Sequence, residues 1–197
     1  MMIESAEQSS RRAYQLMIDS IVPRPVAWVT TVSSTGVPNL APFSFFTGVT
    51  SSPPTLALSI TKRVVRGPDG GRHLEEKHTV QNLLANGELI VHIASRARRD
   101  QVVASSAELP ADPRELEKLG FTDVVPGSWV DVPRLAALGV AMECRVDRII
   151  PVGDPPVSLV LARILGWHVQ DTLLQGGRIP VAGLDPLGRL GVDGYQE

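Results

Sequence analysis

Residues 24–60 constrain this fold more than any other stretch, because they hold two strand-like runs around a distinctive polar and aromatic segment. Val26, Trp28, Thr30 and Val32 alternate with Ala27, Val29 and Thr31. That is a period of two in β-branched and aromatic residues, and Ser33-Ser34-Thr35-Gly36 then supplies a hairpin turn. A second strand is expected over residues 38–46 and a third over 55–60. The third is entered through Ser51-Ser52-Pro53-Pro54, where prolines suit a strand entrance better than a central ladder position. Between them lies Asn39-Leu40-Ala41-Pro42-Phe43-Ser44-Phe45-Phe46. Pro42 removes a backbone donor and interrupts regular pairing, which frees neighbouring peptide groups to face a ligand. Asn39 and Ser44 add short hydrogen-bonding side chains, and Phe43, Phe45 and Phe46 add flat apolar surface. On composition alone the segment better suits an edge strand carrying core phenylalanines.

The remainder alternates short helices with strands. Residues 4–19 read as a helix that Pro23 and Pro25 prevent from continuing. Residues 63–76, charged and centred on Gly67-Pro68-Asp69-Gly70-Gly71, read as a mobile surface loop. Val80, Leu83 and Leu84 fall at helical spacing within residues 79–86, and Gly87 can end that helix in the left-handed conformation. A fourth strand is expected over 89–94. Residues 100–119 hold two short helices, the second opened by Asp112 as cap and Pro113 at the first helical position. The last long strands cover 139–150 and 156–169, joined by the turn Asp154-Pro155-Pro156. Six or so strands with short peripheral helices make an α+β chain built around an antiparallel barrel.

A length of 197 residues suits one domain with a sizeable core and an elaborated loop, and no low-complexity linker divides it. The formal charge is −2 and the 19 basic residues are dispersed apart from the cluster at Arg96, Arg98 and Arg99, so no nucleic-acid surface is expected. The apolar run at residues 159–165 is broken by Arg163 and falls short of the roughly 20 residues that span a bilayer, so no membrane partner is expected. The acidic and polar start lacks the basic and apolar regions of a signal peptide, which points to the cytoplasm. The single cysteine, Cys144, excludes an intrachain disulfide and reads as a small buried hydrophobe. There is no HExxH or paired-cysteine pattern, so a metal is not expected. A P-loop, a G-x-G-x-x-G turn and a G-x-S-x-G elbow are absent as well, which disfavours Rossmann-type nucleotide binding and serine hydrolysis.

One ordered set of motifs goes further. Arg24-Pro25-Val26-Ala27-Trp28-Val29-Thr30-Thr31, then the 39–46 segment, then Ser52-Pro53-Pro54, resembles the flavin-reductase-like family of FMN-binding split-barrel proteins. Lys77-His78-Thr79 is similar to its Lys-Asp-Thr, with His78 in place of Asp. Arg189-Leu-Gly-Val-Asp-Gly-Tyr195 is similar to its closing Arg-Leu-Gly-Gly-x-x-Tyr, with the second glycine displaced. The matches span residues 20–195. The resemblance implies an antiparallel split β-barrel and flavin contacts at Asn39, Ala41, Pro42, Ser44, Phe45, Ser59, Lys77, Thr79 and Tyr195. Thr79 is placed to cap a helix, to meet the flavin phosphate, or both. His168 ends its strand where the family often has a histidine facing the flavin pocket, so it is the candidate catalytic residue; its alternative is a structural role. The resemblance further implies FMN, or FAD, reduced by NADH or NADPH in a homodimer that serves a flavin-dependent monooxygenase or another redox partner. A flavoredoxin-like electron carrier with prosthetic FMN and a non-catalytic flavin-binding module are the alternatives.

Overall fold

The alternating runs become the walls of a curled sheet in a computed structural model that describes residues 2–68, 70–192 and 194–196. In chain order the elements are α1 (Ser10–Ser20), β1 (Arg24–Pro25), β2 (Ala27–Val32), β3 (Pro38–Phe43), β4 (Phe46–Ser51), β5 (Pro54–Ile60), β6 (Arg63–Arg66) and β7 (Arg72–Glu75). Then come α2 (His78–Asn86), β8 (Glu88–Ile93), α3 (Arg99–Ala104), α4 (Glu115–Lys118), β9 (Val124–Pro126) and β10 (Pro133–Leu135). The long hairpin β11 (Val140–Val152) and β12 (Val157–Val169) is followed by α5 (Val181–Leu184), β13 (Gly188–Leu190) and β14 (Gly194–Tyr195).

Seven strands form one sheet in the order β3-β2-β8-β11-β12-β5-β4. Its outermost members, β3 and β4, are consecutive in the chain and separated only by Ser44 and Phe45. Two edges joined by so short a link must meet at that end, so the sheet curls into a barrel that no ladder closes: a split β-barrel. The interior is filled by Ala27, Val29, Phe43, Leu58, Val91 and Val160, all buried. The outer face of β2 is buried too. Trp28 packs edge-on to Phe121 at 5.2 Å, and its indole N–H donates to Ser105 Oγ at 2.8 Å. Arg24 and Arg189 face each other where β1 pairs with β13, tying the two distant ends of the chain together.

Several expectations are corrected. The strand expected over 38–46 is two strands on opposite sheet edges, because closing the barrel requires the chain to turn at Ser44-Phe45. The loop expected over 63–76 is the hairpin β6–β7, with Arg63 opposite Glu75 and Arg66 opposite Arg72; Asp69, at its turn, lies outside the described residues. The first helix begins at Ser10, where the Ser9 hydroxyl accepts from Arg12 N, and a separate 3-10 turn covers Ser5–Glu7. Thr79 does not cap α2. The cap position is Lys77, and Thr79 lies inside the helix. Asp112 likewise precedes its helix by more than a cap: it accepts from Arg114 N at 2.9 Å, while α4 starts at Glu115. The glycines read as turns behave as such, with φ +81° at Gly36 and +71° at Gly87.

Candidate functional site

The turn from β3 to β4 leaves a cleft beside the barrel mouth, and α2 opens onto it. The first helical bond of α2 runs from Gln81 N to Lys77 O, so the N–H groups before it point out of the helix end, where the dipole favours an anion. Thr79 is 1% exposed and its hydroxyl accepts from Asn39 Nδ2 at 3.1 Å, which fixes the helix end against β3. Lys77 Nζ lies 3.3 Å from Glu108. Arg63 reaches over the same end from β6, donating to Glu75 at 3.1 Å and meeting His78 Nε2 at 3.3 Å. Burial first, and then the Arg63 guanidinium, hold the His78 pKa below the usual histidine range, so its neutral ring can accept from Arg63. Glu115 forms part of the wall and accepts from Leu40 N at 3.3 Å; burial raises its pKa above the usual carboxylate range.

Two cavities, of about 100 Å³ and about 240 Å³, share Pro42, Phe43, Lys77 and Ser106 and form one groove. The first takes in Asn39, Ala41 and Thr79, and the second Ser44, Phe45, Ser59 and Tyr195. Every cofactor-contact position expected from sequence therefore lines the same groove. Ser59 N donates to Phe45 O at 2.9 Å, and the Phe45 ring sits 6.2 Å from that of Tyr14. A flavin needs flat apolar cover, backbone hydrogen bonds along the ring and cationic or N–H-rich partners for its phosphate. Phe43, Pro42 and Phe45, the interrupted pairing at Ser44, and Lys77 with the α2 terminus supply these in turn, so the residues present fit the group.

His168 is not brought to this groove. It lies within β12 opposite Ala141, and its Nε2 is 2.6 Å from Glu143 Oε1. Glu143 is fully buried and accepts from the backbone N–H of Ser128, Trp129 and Val130 at 2.6–3.2 Å. The His168 ring rests 5.3 Å from that of Trp129. His92 is also fully buried, between Trp28 O and Leu135 N, each at 3.1 Å from a ring nitrogen. Sequence reasoning missed Arg24, Arg63, Glu115 and Arg189 as groove residues. Arg24 and Arg189 stood inside quoted motifs, which was the available signal.

Fold and groove together define an antiparallel barrel with a lined groove at its split edge. The chain belongs to the family described as flavin reductase like domain, which matches residues 19–181. It is 36% identical over 191 residues to the uncharacterized protein BH2278 of Halalkalibacterium halodurans, covering 95% of this chain and 87% of that one. Nitrilotriacetate monooxygenase component B from Bacillus cereus is similar in structure, with a TM-score of 0.89 at 34% identity over 100% of this chain and 94% of the other. The 2-nitrobenzoate 2-nitroreductase NbaA of Pseudomonas fluorescens gives a TM-score of 0.82 at 25% identity, covering 100% and 91%. The chain is thus a member of a flavin-binding oxidoreductase family. Among the described residues no helix is long and apolar enough to cross a membrane.

Proposed function

We propose that this chain is an NAD(P)H-dependent flavin reductase that holds FMN in the groove and delivers reduced flavin to a monooxygenase. The observation that carries the reading is the convergence of Asn39, Ser44, Phe45, Lys77, Thr79 and Tyr195 on one groove. Similarity over the full chain to a monooxygenase component B supports the delivery role.

A bound flavin supplies the two-electron acceptor for a reduced nicotinamide. The chain's own part is positioning and charge. Pro42, Phe43 and Phe45 cover the ring and exclude water, the peptide groups around Ser44 donate to its edge, and Lys77, Thr79 and the first turn of α2 hold the phosphate. No protein nucleophile is required. Trp129 and Trp167, 47% and 48% exposed, offer apolar surface to a second copy, which supports a homodimer.

The test is oxidation of NADH and NADPH by the purified protein with added FMN, FAD or riboflavin, alongside flavin titration. Flavin-dependent turnover with micromolar FMN affinity is expected. Bound FMN without turnover would reassign the chain to electron carriage, and no binding of either FMN or FAD in the micromolar range would remove the reading altogether.

A further inference from the structure

The end of the groove away from α2 carries two guanidinium groups that, among the described residues, no carboxylate contacts. Arg24 and Arg189 are direct cross-strand partners, and like charges directly opposite are destabilising unless something lies between them. Arg24 is only 4% exposed, yet its acceptors are all neutral: the carbonyls of Ile18, Ile21 and Gly191 and the hydroxyl of Ser44. Arg189 donates to Tyr195 Oη and Val192 O, again neutral, and its guanidinium stands 4.5 Å from the Tyr195 ring centre. The opposite end of the groove is arranged differently, with Lys77 facing Glu108 and Arg63 facing Glu75. Among the described residues no carboxylate reaches ion-pair distance of Arg24 or Arg189. Asp19 stands nearby, but its carboxylate accepts from Gln15. A buried guanidinium that keeps its charge without a counter-charge is costly.

Resting on the flavin reading of the groove, we propose that Arg24 and Arg189 form a second anion subsite that takes a phosphate or pyrophosphate group of a nucleotide ligand. Planar guanidinium forks match phosphate oxygens, and the hydroxyls of Ser44, Ser59 and Thr61 line the same cavity. Asn39 meets Thr79 near one end of β3 and Ser44 meets Arg24 just past the other. At a rise of ~3.3 Å per residue these contacts lie about 16 Å apart along the chain, so the groove has two distinct anion ends. With the FMN phosphate held at α2, the second end is left for the pyrophosphate of the nicotinamide dinucleotide.

The wild-type protein and Arg189→Gln are titrated with FMN, riboflavin and inorganic pyrophosphate, and the KM for NADH and NADPH is measured; Arg189→Lys serves as the charge-keeping control. Weakening of FMN by about tenfold or more, with riboflavin changed less than about twofold, would move the flavin phosphate to this end and overturn a second subsite. Unchanged flavin affinities with a similar rise in KM and loss of pyrophosphate binding assign it to the dinucleotide. A folded Arg189→Gln protein that binds pyrophosphate, FMN and both reductants as the wild type does overturns the subsite. If the wild type binds no flavin but binds pyrophosphate through Arg189, the flavin reading falls and the subsite stands.

Discussion

His92 shows how one side chain can be buried, polar and settled. Its Nδ1 donates to Trp28 O and its Nε2 accepts from Leu135 N, an arrangement that only the neutral ring can make. Burial drives its pKa down from 6.5 to about 4. Below its ordinary value the unfolded chain binds the proton and the folded chain does not, so stability present above pH 6.5 falls as pH drops toward about 4. The shift corresponds to about 3 kcal/mol across that window. Urea melts at several pH values should show this slope in the wild type and a shallower one in His92→Gln; identical slopes would remove His92 as the cause. Cys144 is the apolar counterpart. It is fully buried among Leu89, Val91 and Val160, and burial pushes its thiol up to about 12, which leaves it inert as a nucleophile.

At the scale of elements, the segment between β9 and β10 is organised by an acid on another strand. Glu143 sits beside a register shift in β11 and gathers the N–H groups of residues 128–130. A Cβ at Gly166, the partner of Glu143 on β12, would lie 2.4 Å from the Trp129 ring, so the segment packs flat on the hairpin. Burial acts to raise the Glu143 pKa, but the backbone donors and His168 together hold it below the usual carboxylate value of 4.5. Its contribution is complete above that value and is lost as pH falls through the lowered one. Glu143→Gln should cost about 2–4 kcal/mol, since charge-assisted bonds to several donors go at once. It should also make Trp129 more open to acrylamide quenching, with Trp129→Phe identifying its share of the signal. Unchanged stability and quenching would mean that packing alone holds the segment.

How much of this was legible depended on how local each cause is. The 26–32 strand, the turn ending at Gly36, the 78–86 helix with Gly87 at its end and the β11–β12 hairpin follow from alternation, spacing and turn chemistry within a few residues. The break at Ser44-Phe45 was not legible, because it is imposed by the meeting of edges whose strands pair elsewhere. The β6–β7 hairpin was hidden by Arg63, Arg66 and Arg72, which flank a Gly/Pro turn and mimic a solvated loop. The positions that line the groove came through family motifs. The state of Arg24 did not, since Gly191, one of its acceptors, lies at a separation of 167 residues.

For the whole molecule, that separation has consequences. The β1-β13-β14 sheet shares no ladder with the seven-stranded one, so removing residues 188–197 should leave the barrel able to fold while opening the Arg24–Tyr195 end of the groove. FMN affinity should fall about tenfold or more while far-ultraviolet circular dichroism keeps its sheet signature; a truncated protein that binds FMN normally would place the ligand wholly against β3 and α2. Because the Arg24–Tyr195 end of the groove needs residues from both ends of the chain, that end is complete only after the segment through Tyr195 has been synthesised and docked. A partly made or tail-clipped protein would then carry a sound barrel with one end of its groove open. On the proposed reading, flavin occupancy would report on covalent integrity, and a bound nucleotide, by holding the tail in place, would shield it from proteases.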